Sequence, residues 1–391
     1  MNSSIDAAAK TPAANRPGLE PLRLLHVISH AAGGGAEVQL SHLARALTQK
    51  GHDTHIAFLR TEPDEHLPGV TYHPLGGRRN HDPRLVWDLL RIVRRVRPHV
   101  VQTWTPQMDV LIAPVAMGTN TPWVLREASC EPAWTTSWKN HLRRWLARKA
   151  RAIVANSGGG CDFWARTCPG VPRYLIPNGL PLDPIESVRP SPRAGMAPSE
   201  RDRLRILYAG RLVPLKNVAS LLEAVALLRQ TTPAHLVVCG NGPQRRDLEH
   251  LAGKLNIAEH VQFLGPVGPD TVWGHMKRAA VFVNLSRFEG CPNAVQEAMA
   301  CRCSLLLSDI PAHRELAGPD AAVFVDASFP PAIARALKRI LGDPDAARNR
   351  ADTAWRAVAV FSIETTGEKY ENLYRQVVAG RGDGVDPSSS G

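Results

Sequence analysis

Ser286-Arg287-Phe288-Glu289-Gly290-Cys291-Pro292-Asn293-Ala294-Val295-Gln296-Glu297-Ala298-Met299-Ala300 is the stretch that decides the fold of this chain. It follows Val281-Phe282-Val283-Asn284-Leu285, an apolar run of strand length. It then passes through Gly290 and Pro292 into an Ala-rich segment of strong helix formers. Strand, loop and helix in that order put Glu289 in the loop and Glu297 on the first turns of the helix. Two carboxylates then approach one crevice at the carboxyl end of a strand, where open α/β sheets bind ligands. Backbone N–H groups of the loop 290–293 can meet an anion or sugar hydroxyls beside them. The plain alternative is a surface-turn Glu followed by a solvated helix Glu.

The same order opens the chain. Residues 22–29 are strand-like, His30-Ala31-Ala32-Gly33-Gly34-Gly35-Ala36-Glu37 follows, and a helical pattern runs over 38–50. Three glycines let backbone approach a ligand and aim a helix N-terminus at it, which suits a phosphate. The loop has neither a Walker lysine nor a full G-x-G-x-x-G, so a flexible turn is the competing reading. Further strands are expected at 55–59, 99–104, 123–126, 152–156 and 174–176, with helices at 86–96, 110–117 and 138–151. This alternation predicts a parallel, doubly wound α/β sheet.

Residues 184–203 concentrate Pro, Ser, Arg and Ala without periodicity and read as a linker. A second α/β run begins at 204, with strands to 308 and helices to 360. The expected organisation is a disordered lead 1–20, a first domain 21–183, a second domain 204–360, a helix over 361–379 packing back on the first domain, and a disordered tail 380–391. A chain of 391 residues is long for one core, which agrees with two domains.

The chain carries 47 Lys and Arg against 36 Asp and Glu, a net charge of +11, which favours an anionic partner such as a nucleotide or an acidic lipid surface. The first 200 residues hold 24 of those basic and 16 of those acidic residues, so most of the basicity lies there. Seven Cys with no Cys-x-x-Cys pair point to reduced, mostly buried thiols rather than a disulfide framework or a zinc site. The first twenty residues lack the apolar core of a signal peptide, and no run reaches the ~20 apolar residues needed to cross a bilayer. Asp343-Pro344-Asp345 reads as a helix cap rather than a metal motif. No nucleic-acid-binding signature accompanies the positive charge.

Taken together, the glycine loop, Ile176-Pro177-Asn178-Gly179, Ala209-Gly210-Arg211 with Lys216-Asn217, Gly240-Asn241-Gly242-Pro243, Phe263-Leu264-Gly265, and Glu289 with Glu297 resemble, in order and spacing, the retaining glycosyltransferases of family 4, the bacterial group 1 glycosyltransferases. The resemblance spans about residues 22–375. It implies the GT-B fold, two Rossmann-like doubly wound domains facing a central cleft. It also implies that Glu289 and the backbone of Gly290, Cys291, Pro292 and Asn293 hold the donor sugar and that Glu297 binds ribose hydroxyls. Arg211 and Lys216 would clamp the diphosphate, and Glu289, Arg211 and Lys216 would form the catalytic set. Asn241, Gly242 and Gly265 would lie near the base, Gly33 and Gly34 near phosphates or acceptor, and Asn178 at the cleft. A guanidinium and an ammonium can neutralise a leaving diphosphate in place of a metal. The implied donor is a UDP-linked sugar acting as substrate, with no cofactor and no metal.

The chain departs from the family where many relatives carry a histidine. Arg126-Glu127-Ala128-Ser129 and Gln102-Thr103-Trp104 stand there instead, so Arg126 or Glu127 is a candidate for the acceptor side, a structural salt bridge being the alternative. Trp138, Lys139, Arg143, Arg144, Trp145, Arg148 and Lys149 form a basic helix punctuated by tryptophans, suited to an anionic membrane surface unless its Trp residues are core. The expected activity is transfer of a hexose or N-acetylhexosamine to a lipid-linked or cell-surface polysaccharide acceptor, in the cytoplasm or on the inner face of the plasma membrane. The alternatives are an idle nucleotide- or membrane-binding partner subunit of the same fold and a GT-B nucleotide-sugar epimerase.

Overall fold

Runs such as Leu24-Leu25-His26-Val27-Ile28 present apolar side chains to both sides of an extended backbone, which a chain tolerates only where helices cover both faces of a parallel sheet. A computed structural model describes residues 20–31, 34–63, 65–77, 82, 84–129, 137–191 and 204–380. The expected lead to residue 19, Gly33, residues 192–203 and the tail from 381 lie outside the described residues.

The first sheet comprises β1 (Arg23–His30), β2 (Asp53–Arg60), β3 (Val70–Pro74), β4 (Val100–Thr103), β5 (Trp123–Glu127), β6 (Ala152–Ala155) and β7 (Arg173–Leu175). Its order is β3-β2-β1-β4-β5-β6-β7, every pair parallel. Its helices are α1 (Gly35–Gln49), α2 (Arg84–Val96), α3 (Pro106–Thr119), α4 (Trp138–Ala147) and α5 (Gly158–Thr167), followed by the short α6 (Leu182–Ser187). The second sheet comprises β8 (Leu204–Ala209), β9 (Ala234–Cys239), β10 (Val261–Gly265), β11 (Val281–Asn284), β12 (Leu305–Ser308) and β13 (Val323–Val325), in the order β10-β9-β8-β11-β12-β13, again all parallel. Around it lie α7 (Val218–Arg229), α8 (Arg245–Lys254), α9 (Pro269–Met276), α10 (Asn293–Ala300), α11 (Pro311–Leu316), α12 (Pro330–Gly342) and α13 (Pro344–Val358), and α14 (Ile363–Val378) closes the chain. Strand order reverses between β1 and β4 and between β8 and β11, the switch points where such sheets open a crevice at their carboxyl ends. β3, β13, α5, α6 and α11 are short or weakly periodic and escaped the sequence reading.

Alternate residues of each strand feed separate cores. Leu25 and Val27 of β1 pack with Leu89, Ile112 and Trp164 on one face, Leu24 and Ile28 with Leu43, Leu47 and Tyr374 on the other. The second domain repeats this with Ile206 and Tyr208 against Leu222 and Leu337, and Leu207 and Ala209 against Met299 and Val358.

The chain crosses between the domains twice, side by side. Leu180 N donates to Phe361 O at 2.8 Å and Ile363 N to Leu180 O at 3.0 Å. Leu180 and Ile185 already belong to the second core, so the first crossing precedes the 184–203 segment read as the linker. α14 returns to the first domain, where Tyr370, Leu373, Tyr374 and Val377 join the core beside α1.

Candidate active site

β11 ends at Asn284, at the switch point, and the side chain there turns the chain outward. Asn284 Oδ1 accepts from Ser286 N at 3.0 Å and Ser286 Oγ at 2.6 Å. Arg287 N then donates to Leu215 O at 2.9 Å, fastening this loop to the short 3-10 turn Pro214–Lys216. As a result Lys216 Nζ meets Glu289 Oε1 in a direct ion pair, both side chains partly buried. Arg211 is exposed nearby, its carbonyl accepting from the buried Tyr208 hydroxyl at 2.9 Å.

The glycines expected beside the base are required by backbone crowding. A Cβ at Gly240, which has φ +126°, would collide with the Gly210 carbonyl, and one at Gly242 with Leu212 backbone. Gly240 N donates to Gly265 O at 2.8 Å and Leu212 N to Asn241 O at 3.0 Å, so these loops close one rim at the carboxyl ends of β8, β9 and β10. Glu297, on α10, accepts from Trp273 Nε1 at 3.1 Å. Burial pushes its carboxyl up to about 7, against the stabilising indole hydrogen bond.

The loop 290–293 faces the first domain. A Cβ at Gly290 would strike Ala128 O, and one at Gly35 would stand 3.2 Å from Asn293 Nδ2. Gly34 is the extended residue before α1. Asn178 joins the two domains. Its Nδ2 donates to Cys291 O at 3.1 Å and to Asn293 Oδ1 at 2.6 Å, while Oδ1 accepts from Arg126 NH2 at 2.7 Å. Gln39 clamps the adjacent Gly179, donating to its carbonyl at 3.0 Å and accepting from its N–H at 2.8 Å. Burial pushes the Cys291 thiol up to about 12.

Arg126 and Glu127, the two acceptor-side candidates, are likewise held by hydrogen bonds within the protein. Arg126 is buried, 4.5 Å over the Trp104 ring, with Nε donating to Tyr370 Oη at 3.2 Å. Glu127 is equally enclosed, accepting from Arg143 NH1 at 2.8 Å, Trp164 Nε1 at 3.2 Å and Ser129 N at 2.9 Å. Glu127 thus takes part in a structural salt bridge with Arg143, the alternative to an acceptor-side role. Arg143 belongs to that bridge and not to an outer face, its Nε also donating to Asp109 Oδ2 at 2.6 Å. Trp138 and Trp145 are exposed rather than core. Asp343 caps α13, accepting from Ala346 N at 3.0 Å, and Asp345 pairs with Arg348 at 2.9 Å.

Two doubly wound parallel-sheet domains with a crevice at their carboxyl edges define the GT-B class. Sequence comparison supports the same conclusion. Residues 33–184 match the model described as "Glycosyltransferase Family 4" and residues 197–356 the one described as "Glycosyl transferases group 1". This chain belongs to that glycosyltransferase family, group 1 and family 4-like.

Among relatives, the N-acetylgalactosamine-N,N'-diacetylbacillosaminyl-diphospho-undecaprenol 4-alpha-N-acetylgalactosaminyltransferase of Campylobacter jejuni is 32% identical over 232 residues, 58% of this chain and 61% of that protein. The chain thus spans less than two thirds of that relative. In fold it is similar to the sucrose-phosphate synthase of Thermosynechococcus elongatus, with a TM-score of 0.79 at 21% identity over 91% of this chain and 99% of the other. HepE of Anabaena, solved with UDP-glucose, superposes with a TM-score of 0.76 at 16% identity over 90% and 100%.

Trp273, Gln39 and His313 were missed by sequence reasoning. All three lie inside helices, on α9, α1 and α11, where a single such side chain carries no signal of its own.

Proposed function

We propose that the protein is a retaining, metal-independent glycosyltransferase that moves a hexose or N-acetylhexosamine from a UDP-linked donor to a lipid-linked or cell-surface polysaccharide acceptor. The observation that carries this reading is the Lys216–Glu289 pair, held between two crevice loops by the Arg287 to Leu215 hydrogen bond. A donor entering there exchanges that pair for two new ones. Lys216 and the exposed Arg211 neutralise the leaving diphosphate, while Glu289 holds the sugar whose anomeric carbon gains positive charge. In this reading no first-domain carboxylate or histidine assumes the role of base. The departing phosphate takes the acceptor's proton on the same face of the sugar, which retains configuration.

The UDP and lipid-linked parts draw support from the Anabaena structure with UDP-glucose and the undecaprenol-linked substrate in the Campylobacter relative's name. They also draw support from the outer layer of the first domain. Trp87 on α2, Met117 on α3, and Trp138 and Trp145 on α4 are exposed on consecutively packed helices, among the exposed Arg84, Arg91, Arg94, Lys139 and Arg148. Such a face suits the inner leaflet of the plasma membrane. Among the described residues no helix is long and apolar enough to cross it.

The test is incubation with a panel of nucleotide sugars and a lipid extract, with and without EDTA, followed by mass spectrometry of released nucleotide and gained glycan. Transfer that survives EDTA, with the anomeric configuration kept, is expected. Nucleotide release without any glycosylated product contradicts the reading, and activity restored only by magnesium or manganese contradicts metal independence.

A further inference from the structure

His313, on α11, is completely buried. Its Nδ1 stands 2.9 Å from Ser308 O and 3.1 Å from Ser308 Oγ. The Ser308 hydroxyl lies 2.6 Å from the Ser286 carbonyl, which can only accept, so the hydroxyl proton is committed there. Nδ1 faces two acceptors and must carry the imidazole proton. Nε2 is left as a bare lone pair, buried and unpartnered among the described residues.

Asn284, Ser286, Ser308 and His313 form one buried polar chain beneath the loop that delivers Glu289. Apolar residues would fill this space without needing any hydrogen-bond geometry, and an unpaired buried nitrogen costs stability. What the chain supplies is position. Ser286 O is held from below by Ser308, its N–H and hydroxyl by Asn284, and the next residue is bonded to Leu215, the neighbour of Lys216.

We propose that His313 is a positioning residue of the transfer reaction, whose Nδ1–H, acting through Ser308 and Ser286, sets the distance between Glu289 and Lys216. The proposal rests on the reading in which Glu289 serves the sugar and Lys216 the diphosphate. The facing charged groups, Glu289 and Lys216, act on the imidazole in opposite directions, and burial lowers its pKa, so it works as the neutral tautomer.

The test uses His313→Asn, which keeps a donor near Nδ1, His313→Gln, whose amide reaches toward Nε2, and His313→Ala. A displaced Glu289 costs the transition state and leaves nucleotide contacts intact, so Ala and Gln should lower kcat by roughly a hundredfold. Their affinity for UDP should stay near wild type, and Asn should recover most of the rate. Asn as impaired as Ala, Ala as fast as wild type, or a loss residing wholly in UDP affinity would each overturn the proposal. If Ala does not fold, the contrast between Asn and Gln decides.

Nitrogen-15 spectra of the imidazole, assigned by comparison with His313→Asn, should show the Nδ1–H tautomer at pH 7.5. The Nε2–H tautomer would overturn the proposal whether or not a donor has been found. A wild-type protein inert toward every nucleotide sugar while showing Nδ1–H would instead overturn the transfer reading on which the positioning role depends.

Discussion

Glu289 and Glu297 occupy different environments and so carry different predictions. Glu289 is paired with Lys216 at the crevice, whereas Glu297 sits under Trp273 with its carboxyl near 7. Contacts that strengthen as charge builds appear in kcat, and contacts unchanged during reaction appear in KM. Glu289→Gln and Lys216→Ala should each lower kcat by roughly a hundredfold or more, while Glu297→Gln should chiefly raise donor KM. Steady-state kinetics on folded variants checks this, and wild-type rates for Glu289→Gln would return that residue to a surface turn. A second prediction concerns pH. Ribose hydroxyls donate best to an ionised carboxylate, so donor binding favours the deprotonated form of a group whose free-protein pKa is about 7. Affinity should be full well above pH 7 and weaken as pH falls through 7, by up to roughly tenfold per unit below it. Calorimetry with UDP-glucose, whose diphosphate does not titrate in this range, reads the slope. A flat profile from pH 5.5 to 8.5 would remove Glu297 from the ribose.

At the scale of the element, α4 has two faces with two jobs. Ser137 caps it, accepting from Asn140 N at 3.4 Å, and Arg143 points inward between Asp109 and Glu127. Burial pushes the Asp109 carboxyl up even though Arg143 opposes the shift, so that carboxylate depends on its partner. Removing one member of a buried ionic cluster strands the others, and Arg143→Ala should cost about 3–5 kcal/mol of unfolding free energy. Denaturant titration tests that, a change below about 1 kcal/mol being incompatible with a buried triad. The outer face carries Trp138 and Trp145, each more than half exposed. Sedimentation with anionic but not neutral liposomes should weaken as salt rises and be sharply reduced by Trp138→Ala combined with Trp145→Ala. Equal pelleting with both lipids would leave these tryptophans without a membrane role.

The molecule as a whole is held around its cleft by few direct bonds. At one side Asn178 ties Arg126 to the loop 290–293, and the double crossing at Leu180 and Phe361–Ile363 fixes the two domains at the hinge. Elsewhere Glu315 of α11 reaches across so that Gly158 N, at the start of α5, donates to its Oε1 at 2.6 Å. A carboxylate at a helix N-terminus is favoured by the exposed N–H groups and the helix dipole. Glu315→Ala should therefore loosen closure, enlarging the radius of gyration in small-angle scattering and raising donor KM severalfold, on the order of 1 kcal/mol. Unchanged scattering together with an unchanged KM would make the contact incidental.

Much of this was legible in the chain itself. Apolar strand runs alternating with helical periods dictated two parallel sheets, because backbone pairing and two-sided burial leave such runs no other arrangement. Spacing placed Glu289 and Glu297 at the carboxyl end of one strand, and the family resemblance added Arg211, Lys216 and the glycines to the same edge, since loops at the carboxyl ends of adjacent strands converge there. Sequence alone left open whether Arg126 and Glu127 faced substrate or core, and whether Trp138 and Trp145 were inside or out. One-dimensional spacing carries no information on which side of a turn a long side chain will find its partners. Tertiary structure brought in residues far apart in the chain: Arg143 and Trp164 bond Glu127, while Tyr370 of the returning helix and Asn178 bond Arg126. His313 was invisible for the same reason, because the polar chain that gives it meaning joins two strand ends and a helix and exists only once β11, β12 and α11 have come together.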